Sequence, residues 1–437
     1  MRDHFYNIVA ALTELTSADE HLHANLNAES SEFIRFNQAR VRQAGKLQQT
    51  SLQLALQRDN KHCSASCNLS GNQTDYDTTK QLLEALRERL AHCPDDPFLN
   101  YNDRPVSSDD SRTGTLPSSQ TIAGDIGRMA ADLDLVGIYA GGDIMCGYAN
   151  SYGQRNWHAR TIFNFDWSCH LPGNQAVKSN LAGDDWRQDE LEAAITEQRQ
   201  ALAILKRPVK NLKPDHYRAY IAPAALAELM GLLCMDGFGL QQHKTRQSSL
   251  LKLAAGERQF SSRVNIDDNR GDNLAALFTE EGFAIADRVE LIAQGALAGM
   301  LVNGRSAREF DAEVNADGET PVALEMAAGD LATANILSAL DTGLYINNFW
   351  YGNYSDPNNC RMTGMTRYAC FWVENGEIRA PLDVMRFDDS LYRLLGDQLE
   401  AITAERRFMH DADTYEQRSL NSMNLPGILC RELRLTL

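Results

Sequence analysis

One stretch constrains the fold more than any other: Thr342 to Pro381, TGLYINNFWYGNYSDPNNCRMTGMTRYACFWVENGEIRAP. Leu344, Tyr345, Ile346, Phe349, Trp350 and Tyr351 form one run rich in aromatic and β-branched residues, and Cys370, Phe371, Trp372 and Val373 form another. Such residues fit a pleated, half-buried surface. Pro357, Asn358, Asn359 and Gly364 between the runs are turn formers. Asn375-Gly376 follows the second run, and this pair suits a type I′ hairpin turn, whose two central residues need positive φ. Ile378 opens a further strand and Pro381 ends its regular pairing. The stretch therefore reads as a three-strand meander with a long polar loop on one side and a tight turn on the other. Nearly all its large residues are expected inside, as the core sheet of the C-terminal half.

Upstream, Phe5, Ile8, Val9 and Leu12 recur at helical spacing, so residues 1–15 read as a helix. Residues 18–28 read as a second, short one. From Glu32 the period changes to two. Residues 33–36 and 41–43 flank Asn37-Gln38 as a hairpin, and Leu52, Leu54 and Leu56 mark a half-buried strand over 50–57. Another strand spans 62–69. Leu82, Leu83, Leu86 and Leu90 form the apolar stripe of a helix over 78–91. Residues 93–119 are rich in Pro, Asp and Ser and read as a loop or link. Ser119 is placed to cap a helix reaching about Leu133. Strands follow over 135–149, 159–170 and 176–181, then a helix from Asp184 or Asp185 to Leu205. The basic, proline-bearing segment 207–214 marks the main boundary. Beyond it come a strand over 216–221, a helix over 223–235 with Pro223 at its favoured first position, and a hairpin around Gly295. The expected fold class is α+β. An N-terminal sheet-and-helix domain, 1–206, subdivided near 94–118, precedes a mainly antiparallel β C-terminal domain with a few helices, 215–437. The length, 437 residues, exceeds what one core holds.

The formal charge is −17, with no basic block. That argues against phosphate-driven nucleic-acid binding and against docking on anionic lipid. The N-terminus lacks the basic-then-apolar pattern of a signal peptide. The apolar region 283–302 is interrupted by Asp287, Arg288 and Glu290, so no membrane span is expected. Nine cysteines without paired spacing suit reduced thiols and a cytoplasmic location.

A zinc hydrolase needs imidazoles paired on one element with a carboxylate beside them. The ten histidines include no His-Glu-x-x-His or His-Glu-x-x-x-His. Cys63 and Cys67 lie too far apart along a strand to share one ion. Asp267-Asp268 reads as a solvated turn, because neighbouring acids in a strand point to opposite faces. There is no Gly-x-Ser-x-Gly elbow and no Gly-x-Gly-x-x-Gly loop. The aromatics Tyr345, Phe349, Trp350, Tyr351 and Trp372 offer a peptide-binding platform or, more simply, core packing.

Met362-Thr363-Gly364-Met365-Thr366-Arg367 with Phe371-Trp372-Val373-Glu374-Asn375-Gly376-Glu377-Ile378 resembles the C-terminal signature of the TldD/PmbA family. The segments Ser31 to Asn37, Ala149 to Gly153, Leu212-Lys213-Pro214 with Tyr217 to Leu229, and Asn265 to Asp268 resemble further parts of the family in the same order, over most of the chain. The resemblance implies one of two branches. TldD-like members carry a His-Glu-x-x-x-His helix and form a zinc protease site. TldE (PmbA) members lack it and pair with TldD. The comparable helix here, 224–232, keeps Glu228 but no flanking histidine, so the chain resembles the TldE branch. No catalytic residue and no metal ligand carry over. The implied cofactor is zinc in the partner subunit and none in this chain. The implied partners are a TldD-like subunit or a second copy of the chain, with unfolded peptides as substrates. Tyr345, Trp350, Tyr351, Arg367, Trp372, Glu374 and Asn375 are the residues expected at a peptide channel or subunit interface.

Overall fold

A computed structural model describes residues 1–173, 175–272 and 274–437. Two large sheets carry the molecule, each with its own helices, in an α+β fold. The N-terminal sheet contains β1 (His21–Asn37), β2 (Arg40–Arg58), β3 (Lys61–Asn68), β4 (Ser108–Arg112), β5 (Asp134–Asn150), β6 (Arg155–Leu171) and β7 (Gln175–Gly183). Its order is β3-β2-β1-β5-β6, with β4 and β7 both on the far side of β6. All pairs are antiparallel except β4 with β6.

Helices α1 (Arg2–Thr13) and α2 (Thr74–Leu90) pack on one part of this sheet, and α3 (Ser119–Met129) and α4 (Gln188–Leu205) on another. Phe5, Ile8, Val9 and Leu12 of α1 meet Leu83, Leu86 and Leu90 of α2 over Leu22, Leu52, Leu54 and Leu56. Of residues 18–28, expected as a helix, 21–28 belong to β1. Leu22, Ala24, Leu26 and Ala28 fill one buried face at a period of two, with His23 and Glu29 buried on the other face, and that period outweighs the helix propensity of alanine and leucine. The expected loop 93–119 contains β4. The cap of α3 is Ser118, whose hydroxyl accepts from the Thr121 N–H, rather than Ser119. The β1–β2 turn falls at Gln38-Ala39, both at positive φ.

The C-terminal sheet contains β8 (Asp215–Ile221), β9 (Ile266–Asn269), β10 (Arg288–Ala293), β11 (Ala296–Leu297), β12 (Ala323–Met326), β13 (Gly343–Ile346), β14 (Phe349–Asp356), β15 (Arg361–Thr366), β16 (Phe371–Glu374), β17 (Glu377–Pro381), β18 (Arg386–Ser390), β19 (Leu399–His410) and β20 (Ser422–Leu435). The order β11-β10-β9-β12-β20-β8-β13-β16-β17 forms the main path, and β14-β15-β18 and β19 join through β20. The helix α5 (Pro223–Asp236) buries Leu226, Leu229, Met230 and Leu233 in this core. Each contributes about 1.5–3 kcal/mol on burial.

The first run of Thr342–Pro381 is two strands rather than one. Asn347-Asn348 separates β13 from β14, and β14 turns away to pair with β15, which the sequence places in the polar loop. The Asn375-Gly376 turn has φ of 51° and 72° and joins β16 to β17. Trp350 and Tyr351 depart from the expected burial, at 42% and 80% exposed. They lie on β14, whose pairing in the sheet is with β15 alone among the described residues. Asp267 and Asp268 are not a solvated turn but part of β9. Both are buried, in ion pairs with Arg288 and Arg270 respectively. No helix among the described residues is long and apolar enough to cross a membrane.

Candidate functional site

The outer side of α5 faces a cleft of about 530 Å³. Its buried side takes Leu226, Leu229, Met230 and Leu233, and the helical period leaves Ala227, Glu228, Gly231 and Leu232 along the cleft wall. Gly352 of β14, Met409 and His410 at the end of β19, and Ser422 and Met423 at the start of β20 are also among the lining residues. The N-terminal sheet comes close here. Arg407 of β19 donates to the Asn180 carbonyl at 2.6 Å, and Asn164 of β6 donates to the Asp411 carbonyl at 3.2 Å. The cleft thus lies where the two sheets meet.

Glu228 reaches solvent through the cleft, yet the surrounding walls raise its carboxyl pKa by desolvation, with Lys178 drawing it down and Asp166 pushing it up. Burial likewise raises Asp166, against the pull of Lys178 at 3.5 Å. His410 is 5% exposed, and burial lowers its pKa to about 4. It is therefore neutral at pH 7. Its Nε2 lies 2.8 Å from the Ser419 carbonyl, which fixes the proton there and leaves Nδ1 as a lone pair. Among the described residues His410 Nδ1 and Ser422 Oγ are buried without a partner, and the two residues are directly paired across β19 and β20. A buried acceptor and a buried hydroxyl on directly paired residues are suited to a buried water.

The residues do not fit a zinc ion. On the register of Glu228, a His-Glu-x-x-x-His helix requires imidazoles at 227 and 232. Ala227 and Leu232 stand there, both on the cleft wall and neither with a donor atom. Among the described residues no three His, Cys, Asp or Glu side chains gather as a metal site.

The expected channel or interface residues fall in four places. Trp350, Tyr351 and Arg367 form an exposed group, with the Arg367 guanidinium 4.4 Å from the Trp350 ring centre and the two aromatic rings 5.4 Å apart. β14, which carries the two aromatics, reaches the cleft through Gly352. Tyr345 packs inside, against Tyr220 and Phe371, and burial raises its pKa to about 12. Trp372 lies edge-on to Tyr217 with Lys210 over its ring. Glu374 and Asn375 are exposed at the β16–β17 turn, where the Asn375 N–H donates to the Thr342 hydroxyl. Sequence reasoning missed His410, Ser422 and Met423. They are far from α5 along the chain and meet it only through the β19–β20 pairing.

The fold and the cleft define an α+β chain of two sheets with a helix wall where they meet. Residues 214–437 match the family model described as the PmbA/TldA metallopeptidase C-terminal domain. The chain belongs to the TldD/PmbA family. Its fold is similar to TldE from Thermococcus kodakarensis, with a TM-score of 0.76, 14% identity, and 99% of this chain and 100% of that one covered. It is also similar to a proposed modulator of a DNA gyrase from Thermotoga maritima, with a TM-score of 0.74, 13% identity and 99% of each chain covered. A proposed modulator of DNA gyrase from Bacteroides thetaiotaomicron gives a TM-score of 0.73 at 15% identity, with 99% and 98% covered. At these identities the likeness concerns the fold alone. No curated protein sequence matches.

Proposed function

We propose that this chain is a TldE-like, metal-free subunit of a two-subunit zinc protease acting on unfolded peptides or small proteins. One observation carries the reading: α5 holds a glutamate at the cleft while Ala227 and Leu232 occupy the two positions a zinc-binding helix fills with histidine. The wall is retained and the metal donors are not. A TldD-like partner supplies the zinc and the chemistry, and this chain supplies one wall of a sheltered peptide channel. Trp350 and Tyr351 on β14, continuous with the cleft, together with Arg367 just after β15, suit contact with an extended peptide or with the partner. Links to peptide-antibiotic maturation or to gyrase-directed toxins run through peptide cleavage, since the −17 charge disfavours direct DNA contact. In the same reading the segments 1–206 and 215–437 are separate domains and the protein is cytoplasmic.

A second reading is a homodimeric peptide-binding or chaperone-like protein without proteolysis. The exposed Trp350 and Tyr351 beside a cleft without metal donors at 227 and 232 support it. Sedimentation of the chain with its nearest His-Glu-x-x-x-His relative separates the two. A 1:1 complex supports the subunit reading. Absence of a complex, with retained binding of an unfolded polypeptide to the chain alone, supports the second and overturns the first.

A further inference from the structure

Two thiols from distant parts of the chain meet at the end of α2. Cys63 of β3 is 9% exposed, in the core that β3 shares with α2, and its Sγ donates to the Leu86 carbonyl at 3.3 Å. Cys93 stands just past α2, half-buried, and its Sγ donates to the Arg89 carbonyl at 3.5 Å. Leu86 and Arg89 are three residues apart near the end of α2, and positions at that spacing are neighbours on one helix face. Both sulfurs therefore sit on the same side of the helix end, and they interact directly. Burial first, and then the charge and hydrogen bond of the adjacent Cys93 thiol, raise Cys63 to about 11, against the pull of Arg89. Cys67, the nearer cysteine in sequence, is no rival partner. Four residues of strand hold it about 13 Å from Cys63, whereas a disulfide needs Cβ atoms about 4 Å apart.

We propose that Cys63 and Cys93 form a reversible oxidation site, closed by exchange with a small-molecule disulfide such as oxidised glutathione. Cys93 reacts first, because it is the more exposed of the two. Its thiolate attacks one sulfur of the small disulfide. That S–S bond breaks, a mixed disulfide forms on Cys93, and one small thiolate leaves. Cys63 then gives its proton to solvent, and its thiolate attacks the Cys93 sulfur and expels the second small thiolate. Two protein thiols become one disulfide, and one small disulfide becomes two thiols. The burial that shields Cys63 from direct attack also makes the second exchange the slow one.

The chain after Cys93 ties the N-terminal sheet to the C-terminal half. Asp96 pairs with Arg305 at 2.7 Å, and Asn100 donates to the Gly304 carbonyl at 2.8 Å. The Asn102 N–H donates to the Glu281 carbonyl at 2.9 Å, and its side chain to the Gly282 carbonyl at 2.8 Å. A disulfide fixes the start of this connector to β3, so oxidation steadies 94–104 and the joint it makes. The thiol pair shares no residue with the α5 cleft and stands whether or not the protease-subunit reading holds.

The test treats the reduced, purified full chain with oxidised glutathione, counts free thiols and maps disulfides by mass spectrometry of a non-reduced digest. The expected result is a peptide linking Cys63 to Cys93, with the loss of both thiols reversed by dithiothreitol. Hydrogen exchange over 94–104 is expected to slow in the oxidised form. Cys63→Ala is expected to stop with one glutathione held on Cys93, Cys93→Ser to leave Cys63 reduced, and Cys67→Ser to form the same link as the parent. Retention of all nine thiols overturns the proposal. So does a disulfide joining other cysteines, a glutathione that persists on Cys93 of the parent, or a Cys63–Cys93 link that leaves exchange over 94–104 unchanged.

Discussion

Removing Asp268 is expected to destabilise the chain severely, although no sequence feature marks that residue as structural. Asp268 is 0% and Arg270 2% exposed, and they form an ion pair on and just after β9. The second oxygen of Asp268 accepts from the Ala323 N–H at 2.8 Å and the Val322 N–H at 3.2 Å, tying β9 to the start of β12. Arg270 also donates to the Asn315 carbonyl at 2.8 Å. In Asp268→Ala the guanidinium stays buried without its counter-charge, a loss of about 3–5 kcal/mol. Two N–H groups lose their acceptor as well, so the lower end of that range is a floor. Against a typical total of about 5–15 kcal/mol this is a large fraction. Asp268→Ala with Arg270→Met removes the orphan charge and is expected to be at least about 2 kcal/mol more stable than the single variant, because apolar replacement of both partners is often close to neutral. Urea unfolding followed by tryptophan fluorescence measures both. A single variant within about 1 kcal/mol of the parent, or a double variant less stable than the single, refutes the reasoning.

Stability is also expected to fall on mild acidification. Burial lowers the pKa of His23 to about 3 and of His158 and His410 to about 4. The unfolded chain takes up these protons below about 6.5 and the native state does not. Full stability is therefore present above pH 6.5 and is lost as pH falls toward 4, on the order of 3 kcal/mol per histidine. Urea midpoints at pH 7.5 and 5.0 check this, and His158→Gln should show a shallower decline than the parent; a flat profile contradicts it. Glu20 and Asp75 add a further loss below about pH 4. Despite burial, both carboxyls are held at about 2, Glu20 by Arg87 and Ser17, and Asp75 by the N–H groups and hydroxyl around Ser70 and by His4. Trp350→Ala and Tyr351→Ala, at exposed positions, should each change stability by less than about 0.5 kcal/mol. Both should weaken peptide or partner binding in a titration; unchanged binding in both removes β14 from the site.

Much of the fold was legible where period and turn chemistry agree. The α2 stripe, the Leu52, Leu54 and Leu56 alternation and the Asn375-Gly376 turn each carry a local signal that the tertiary structure keeps. β1 was misread because Ala and Leu favour helices, and only their alternation, matched across β2 and β5, reveals a strand. β14 was merged with β13 because the aromatic run continues across Asn347-Asn348, and β15 was read as loop because Met362, Gly364 and Met365 carry little strand signal. The acidic pair on β9 shows the limit most clearly. Its burial depends on Arg270, on Arg288 and on two N–H groups more than 50 residues away. The cleft was half visible. Glu228 could be placed from the helix, whereas His410 and Ser422 join it only through long-range strand pairing.

Zinc content and hydrolysis of an unfolded polypeptide, measured in the same samples of the chain alone, its His-Glu-x-x-x-His relative alone and the two mixed, test the central claim most directly. Stoichiometric zinc and hydrolysis only where the relative is present, with none in this chain alone, is the predicted result. Tightly held zinc or hydrolysis in this chain alone contradicts it, because Ala227 and Leu232 leave the cleft without donors to hold the metal.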